Sequence, residues 1–234
     1  GSIDTAHIAD NQITLAKMAG GTDGNIISFD ASGDPVAIAT GSDGEVLTST
    51  GAGSPPAFEA AAGGGAWTLI GTQVASNSAN LTQTGLNSTY DTYAIALSDI
   101  VPSTDPAAGY LRLGDSGGID SGASDYNWHY NNSTEGGAGY NSYNGQGESQ
   151  IMETPNIGGL SGEGFGGLYY LSRPGDGTMK PIIHGTGVLI SDEMRLVFGG
   201  GMHESVITLD RVQFLFSTGN VASGRMTIWG IAHA

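Results

Sequence analysis

The chain has 234 residues, 40 of them glycine, and a formal charge of −16 from 23 acidic and only seven basic side chains. So few cations exclude direct binding to a phosphate backbone, and the absence of cysteine excludes disulfides and thiolate metal sites. Charged residues are 13% of the chain and hydrophobic ones 38%, which is not the balance of a disordered chain, and no apolar run is long enough to cross a bilayer as a helix.

Residues 1–20 read as a short helical or extended trimerisation segment. Asp10-Asn11-Gln12 is polar, Thr14 suits the cap of a helical turn bearing Leu15, Lys17 and Met18, and Ile8 and Leu15 stand one heptad apart. Residues 21–62 follow as two copies of one unit. Gly21-Thr22-Asp23-Gly24-Asn25-Ile26-Ile27 returns as Gly41-Ser42-Asp43-Gly44-Glu45-Val46-Leu47, and Gly33-Asp34-Pro35 returns as Gly53-Ser54-Pro55. Each copy reads as strand, Gly/Pro turn, strand. A lone hairpin is marginal in water, and stacked repeats need about three units for stability. Two copies fall short, so this segment is expected to be a short fibrous shaft of β repeats completed by sister chains.

A Gly linker at 63–66 marks the boundary to a second region, 67–234. There the predicted strands are Trp67–Val74, Tyr90–Leu97, Tyr110–Leu113, Leu168–Leu171, Val188–Ile190, Arg195–Phe198, Val206–Phe216 and Arg225–Ile231. Tyr93, Ile95 and Leu97 share one face of their strand, as do Val212, Phe214 and Phe216 of theirs. No stretch carries a 3.6-residue apolar period. The fold class is therefore all-β, with a C-terminal antiparallel β-sandwich, jelly-roll-like, as the head. Gly114 to Gly167 has weak strand character and reads as one long segment.

Several motifs imitate catalytic signatures. Gly114-Asp115-Ser116-Gly117-Gly118 matches the nucleophile loop of chymotrypsin-like proteases, but the chemistry needs a histidine base and an orienting Asp. The only upstream histidine, His7, precedes the repeats. The same residues fit a nucleophile elbow, which requires a following helix that Ile119–Ala123 does not supply. A Gly/Ser turn is the better reading. Gly162, Gly164 and Gly167 run into a strand and not into the helix that a dinucleotide site demands. His7, His129, His184, His203 and His233 form no ligand-spaced pair within the chain, and Asp115, Asp120 and Asp125 do not match a calcium loop. Glu153, Glu163, Asp192 and Glu193 have the chemistry for sugar hydrolysis, but no spacing favours them. No catalytic residue, metal or cofactor is expected.

Tyr126, Trp128, His129, Tyr130, Tyr140 and Tyr143 are the candidate receptor-binding residues. They lie among Gly, Ser and Asn, a composition of rigid rings and adaptable hydrogen bonders that suits contact surfaces. Tyr126, Trp128 and Tyr130 are spaced by two and would share one face of a strand. That row serves equally as a sugar platform or as core. No Lys or Arg occurs between Arg112 and Arg173, which favours a neutral or cation-bridged ligand.

The phrasing IADNQITLAKMA followed by GTDGNIISFDASGDPVAIATGSDGEVLTSTGAGSPPAFE resembles the shaft repeats of bacteriophage tail fibres. The later part resembles their terminal knobs, through Tyr90-Asp91-Thr92-Tyr93, Ser98-Asp99-Ile100-Val101-Pro102 and the closing Phe216–Ala234 with Trp229-Gly230-Ile231. The resemblance implies a homotrimer with intertwined shafts at the distal end of a virion tail fibre. It would be extracellular, joined to other virion tail proteins, without membrane insertion or nucleic-acid partner. Its head would attach, without catalysis, to a host bacterial surface glycan or outer-membrane protein. The alternatives are a polysaccharide-depolymerising tailspike and a structural fibre or collar component. No virion-attachment region is apparent, which fits a distal piece of a longer fibre.

Overall fold

The computed structural model describes residues 8, 20–61, 67–137 and 140–232. The expected trimerisation segment, save Ile8 and Gly20, lies outside the described residues, as do the linker at 63–66, His7, His233 and the side chain of Glu153. The chain divides into two compact units, Gly1–Gly64 and Gly65–Ala234. No helix occurs among the described residues.

The first unit is built from two antiparallel hairpins, β1 (Ile26–Phe29) with β2 (Pro35–Ile38) and β3 (Glu45–Thr48) with β4 (Ala57–Ala60). The repeat in sequence is a repeat in hydrogen bonding. Asn25 N–H donates to Thr22 O at 3.2 Å, and Glu45 N–H donates to Ser42 O at 3.1 Å. In both turns a glycine occupies the third position with positive φ, 77° at Gly24 and 88° at Gly44, a conformation that side chains resist. The β1–β2 connection is held by Asp30, whose carboxylate accepts from the N–H groups of Ser32 and Asp34. What the unit lacks is a core. No residue of 20–61 is buried, and Ile26, Ile27, Phe29, Val46 and Leu47 stand exposed.

The second unit is all-β, with two antiparallel sheets. The larger contains β5 (Trp67–Val74), β7 (Thr92–Pro102), β10 (Tyr126–Thr134), β11 (Tyr140–Glu148), β13 (Gly164–Ser172), β14 (Ile182–Ser191), β15 (Glu193–His203) and β17 (Val221–Ile231). Their spatial order is β11-β10-β15-β14-β13-β7-β17-β5. The smaller sheet runs β12 (Ile151–Ile157), β8 (Ala107–Asp115), β16 (Arg211–Phe216), β6 (Leu81–Thr84), with β9 (Gly118–Ile119) hairpinned onto β8. Tyr93, Ile95 and Leu97 from one sheet and Leu111, Val212 and Phe214 from the other meet in a single core.

Two sequence expectations need correction. Val206–Asp210 is not strand; β16 begins at Arg211. The supposed loop at 114–167 contains β9 to β12 and the start of β13. Its Tyr, Asn and Ser residues make strands because the ladder needs only backbone groups. Rings stacked across the strands supply the packing that aliphatic side chains give elsewhere.

Candidate functional site

β10 and β11 form a hairpin at one margin of the large sheet, and β10 also pairs with β15. Because alternate residues face opposite ways, β10 sends Tyr126, Trp128 and Tyr130 inward and His129 and Asn131 outward. The six candidate residues are therefore divided between two faces.

On the inner face Tyr126 is 0% exposed. Its hydroxyl accepts from Leu113 N–H at 2.9 Å and lies 2.9 and 2.8 Å from the carbonyls of Leu113 and Asp120. Tyr130 is likewise buried and forms the middle of a three-ring stack. Trp128 lies on one side at 5.6 Å and Tyr143 on the other at 5.0 Å, with planes tilted by 17° and 20°. Trp128 packs against the core, whereas Tyr143, at the sheet margin, is exposed. Tyr126 and Tyr130 thus hold the hairpin onto the core: of the two roles open to the row, sugar platform or core, burial gives it the second, and Tyr126 and Tyr130 are corrected from receptor-binding to packing residues. Interior burial outweighs the rows' polar neighbours because each ring removes a large apolar area from water.

Burial pushes the hydroxyls of Tyr126, Tyr130 and Tyr93 above the ordinary tyrosine range. A group raised on folding stabilises fully below its unfolded pKa, about 10 for tyrosine, and that contribution fades as pH rises toward the folded value. The second unit is therefore expected to lose stability progressively above pH ~10. In an alkaline titration, absorbance of ionised tyrosine should rise together with loss of near-UV circular dichroism.

The outer face at this margin is different. Pairing places His129 opposite Asn144 on β11 and opposite Gly200 on β15, while His184 of β14 lies on the far side of Gly200. One row across the sheet thus reads Asn144, His129, Gly200, His184. Gly200 has no side chain, so two imidazoles stand two strand spacings apart, about 10 Å, with bare backbone between. This opens a hollow of about 540 Å³, floored by Gly200 and Gly201 and flanked by Asn127, Gln146, Ile182 and Met202. His129 Nε2 is 2.8 Å from Ser142 Oγ. Along β11 and β10 the outward side chains are Gln146, Asn144, Ser142, Asn127, His129 and Asn131, a strip of amides, hydroxyl and imidazole. Tyr140 ends it, edge-on to Phe198 at 6.1 Å.

The strip offers donors and acceptors, Ile182 and Met202 add apolar contact, and the hollow has no lining cation or carboxylate, while the Asn127 amide is taken up by Glu204 and by Gly147 N–H. That chemistry suits a neutral, hydroxyl-rich ligand. Of the candidates, His129 and Trp128 border the hollow, and Tyr140 stands at the end of the strip. His184, Gly200 and Met202 were missed, because only long-range pairing brings β14 and β15 alongside β10. Gly199-Gly200-Gly201, a strand with three successive bare positions, was the available signal.

The imitated motifs have structural occupations. Ser116 lies in the turn between β8 and β9, where Asp115 accepts Gly117 N–H at 2.7 Å. Asp125 accepts Gly122 N–H, and Asp120 lies 3.1 Å from the Nε2 of buried His203. Burial raises the Asp120 carboxyl, against the opposing pull of His203. Glu163 accepts the N–H groups of Leu160 and Asp192, bonds that hold it below the usual carboxylate range. Among the described residues, no group of three or more His, Asp or Glu side chains is placed to hold a metal.

Comparison with protein-family models, curated proteins and solved structures gave no match.

Proposed function

We propose that this chain is the receptor-binding tip of a bacteriophage tail fibre: a homotrimer with a short β-repeat shaft and a β-sandwich head that attaches, without catalysis, to a neutral glycan on a host bacterium. The trimeric shaft is supported by the hairpin unit, which buries none of its described residues in a single chain and needs neighbours to become stable. The attachment role is supported above all by the hollow between His129 and His184, set in a strip of uncharged hydrogen-bonding side chains. A shallow, open site of this kind binds weakly alone and gains strength from several copies acting together.

The test is adsorption of the purified protein to host cells. Replacing His129 and Asn144 with alanine removes two exposed hydrogen-bonding groups, each worth about 0.5–1.5 kcal/mol. Affinity per site should fall by roughly tenfold or more, with the circular dichroism spectrum unchanged. Undiminished adsorption by this variant would refute the site. Release of new reducing ends from host polysaccharide would replace the attachment reading with the depolymerase one. Trp128 and Tyr130 are unsuitable for this experiment, since removing them damages the core.

A further inference from the structure

The row that holds His129 and His184 does not stop at β14. Register carries it from His184 to Tyr170 of β13, Ala94 of β7, Trp229 of β17 and Leu69 of β5. One line of outward residues thus crosses all eight strands, polar at its β11 end and aromatic toward β17. Ala94 points outward, since Tyr93 and Ile95 beside it enter the core, yet it is 0% exposed. What covers it is the indole of Trp67. The centroid of that ring lies 6.4 Å from Tyr170 and 5.9 Å from Trp229, the two register neighbours of Ala94. Tyr170 in turn lies 5.8 Å from His184, which lines the hollow. His184, Tyr170, Trp67 and Trp229 are therefore an unbroken run of rings that begins where the polar strip ends.

The surroundings of the run narrow what it can hold. His184 and Trp67 are exposed, and Tyr170 and Trp229 half-buried. The hydroxyls of Ser172, Thr186 and Thr227 stand two residues from Tyr170, His184 and Trp229 on the same face. Neither this row nor the outward row on either side of it contains Asp, Glu, Lys or Arg, in a chain of formal charge −16. An ionised ligand would find no counter-charge there, whereas a neutral one meets no repulsion. A pyranose has the matching chemistry. Its polarised C–H bonds make an apolar face attracted to the negative face of an aromatic ring, and its hydroxyls project sideways to donors and acceptors.

We infer that the attachment site is a track that takes an extended neutral oligosaccharide laid across the strands. One end of the sugar chain is hydrogen-bonded at His129 and Asn144, and later units stack on His184, Tyr170 and Trp67. From β10 to β17 is five strand spacings, about 24 Å. An extended glycan advances by about one strand spacing per sugar, so the track accommodates on the order of five units. The inference rests on the attachment reading and names its ligand more closely, as a run of sugars and not an isolated terminal one.

The test uses the purified 234-residue chain and neutral oligosaccharides cut from host surface polysaccharide, graded by length from single sugars upward, with affinity read by calorimetry. In the parent, affinity should climb with added sugars and level off at roughly five units. Trp67→Ala should leave the shortest binding fraction unaffected and weaken the longest by about tenfold, the effect of losing one exposed ring. His129→Ala combined with Asn144→Ala should weaken every fraction. Parental affinity of Trp67→Ala at all lengths would overturn the track and leave the hollow standing. Weakening by Trp67→Ala but not by the His129 and Asn144 pair would remove the hollow from the site, and the single track with it. If no fraction binds, the glycan reading itself falls. The parent decides the matter even if Trp67→Ala fails to fold. Trp67 is the most exposed of the three tryptophans, so the long oligosaccharide should reduce acrylamide quenching of tryptophan fluorescence and single sugars should not. Unchanged quenching at saturation with the long fraction would overturn the inference.

Discussion

Tyr126→Ala is expected to destabilise the second unit by about 3–5 kcal/mol, the range for removing a large buried ring. The ring is fully enclosed and packs edge-on to His203 at 5.2 Å. Its hydroxyl joins β10 of one sheet to β8 of the other through Leu113. Tyr126→Phe separates the two contributions. The ring stays, but Leu113 N–H loses an acceptor and one of the two facing carbonyls loses a donor, which costs about 1–3 kcal/mol. Urea unfolding should show both losses as a lower midpoint with an unchanged slope. If Tyr126→Phe matched the parent, the hydroxyl would be a bystander to stability.

Gly199→Val is expected to be at least as damaging, by overpacking instead of loss. Gly199 lies opposite Tyr130, whose Cα and Cβ would be 2.6 Å from any added Cβ, and the carbonyl of His129 would be closer still. Backbone, unlike a flexible side chain, has little room to yield. The penalty should lie at or above the top of the roughly 1–3 kcal/mol typical of overpacking. The defect should be local at first, with β10 and β11 parting from β15. Near-UV dichroism from Trp128, Tyr130 and Tyr143 should collapse before the far-UV signal changes. A soluble variant with parental near-UV dichroism would show that the strands separate easily here.

Much of the architecture was legible where side chains announce one buried face. Alternation placed Tyr93, Ile95 and Leu97 in the core, and Trp67–Val74 read correctly as a strand. The repeat was legible because its turn requires glycine at one position in each copy. The segment from Gly114 to Gly167 was not, since β10 and β11 are sustained by backbone bonds and stacked rings, and β12 shows its buried aliphatics only at its two ends, Ile151 and Ile157. The same blindness applied to the candidate site. Tyr126 and His129 looked alike as members of an aromatic polar segment, and only register, together with the second sheet beneath, sends one inward and the other out. His184 and Gly200 belong to strands distant in sequence, so no local spacing connects them with His129. Val188 and Ile190 of β14 are exposed, though in sequence they look like any buried β-strand pair.

The ladder of β10 and β11 is made by main-chain groups, while inward rings pin it to the core. The outward Gln146, Asn144, Ser142 and Asn131 therefore bear little of the fold's weight, and exchanging such exposed residues typically alters stability by no more than about 0.5 kcal/mol. Foldability and outer-surface chemistry are thereby separated onto opposite sides of the same two strands. A lineage can rewrite the outer side one codon at a time, drifting from one surface chemistry to another, without passing through an unfolded ancestor.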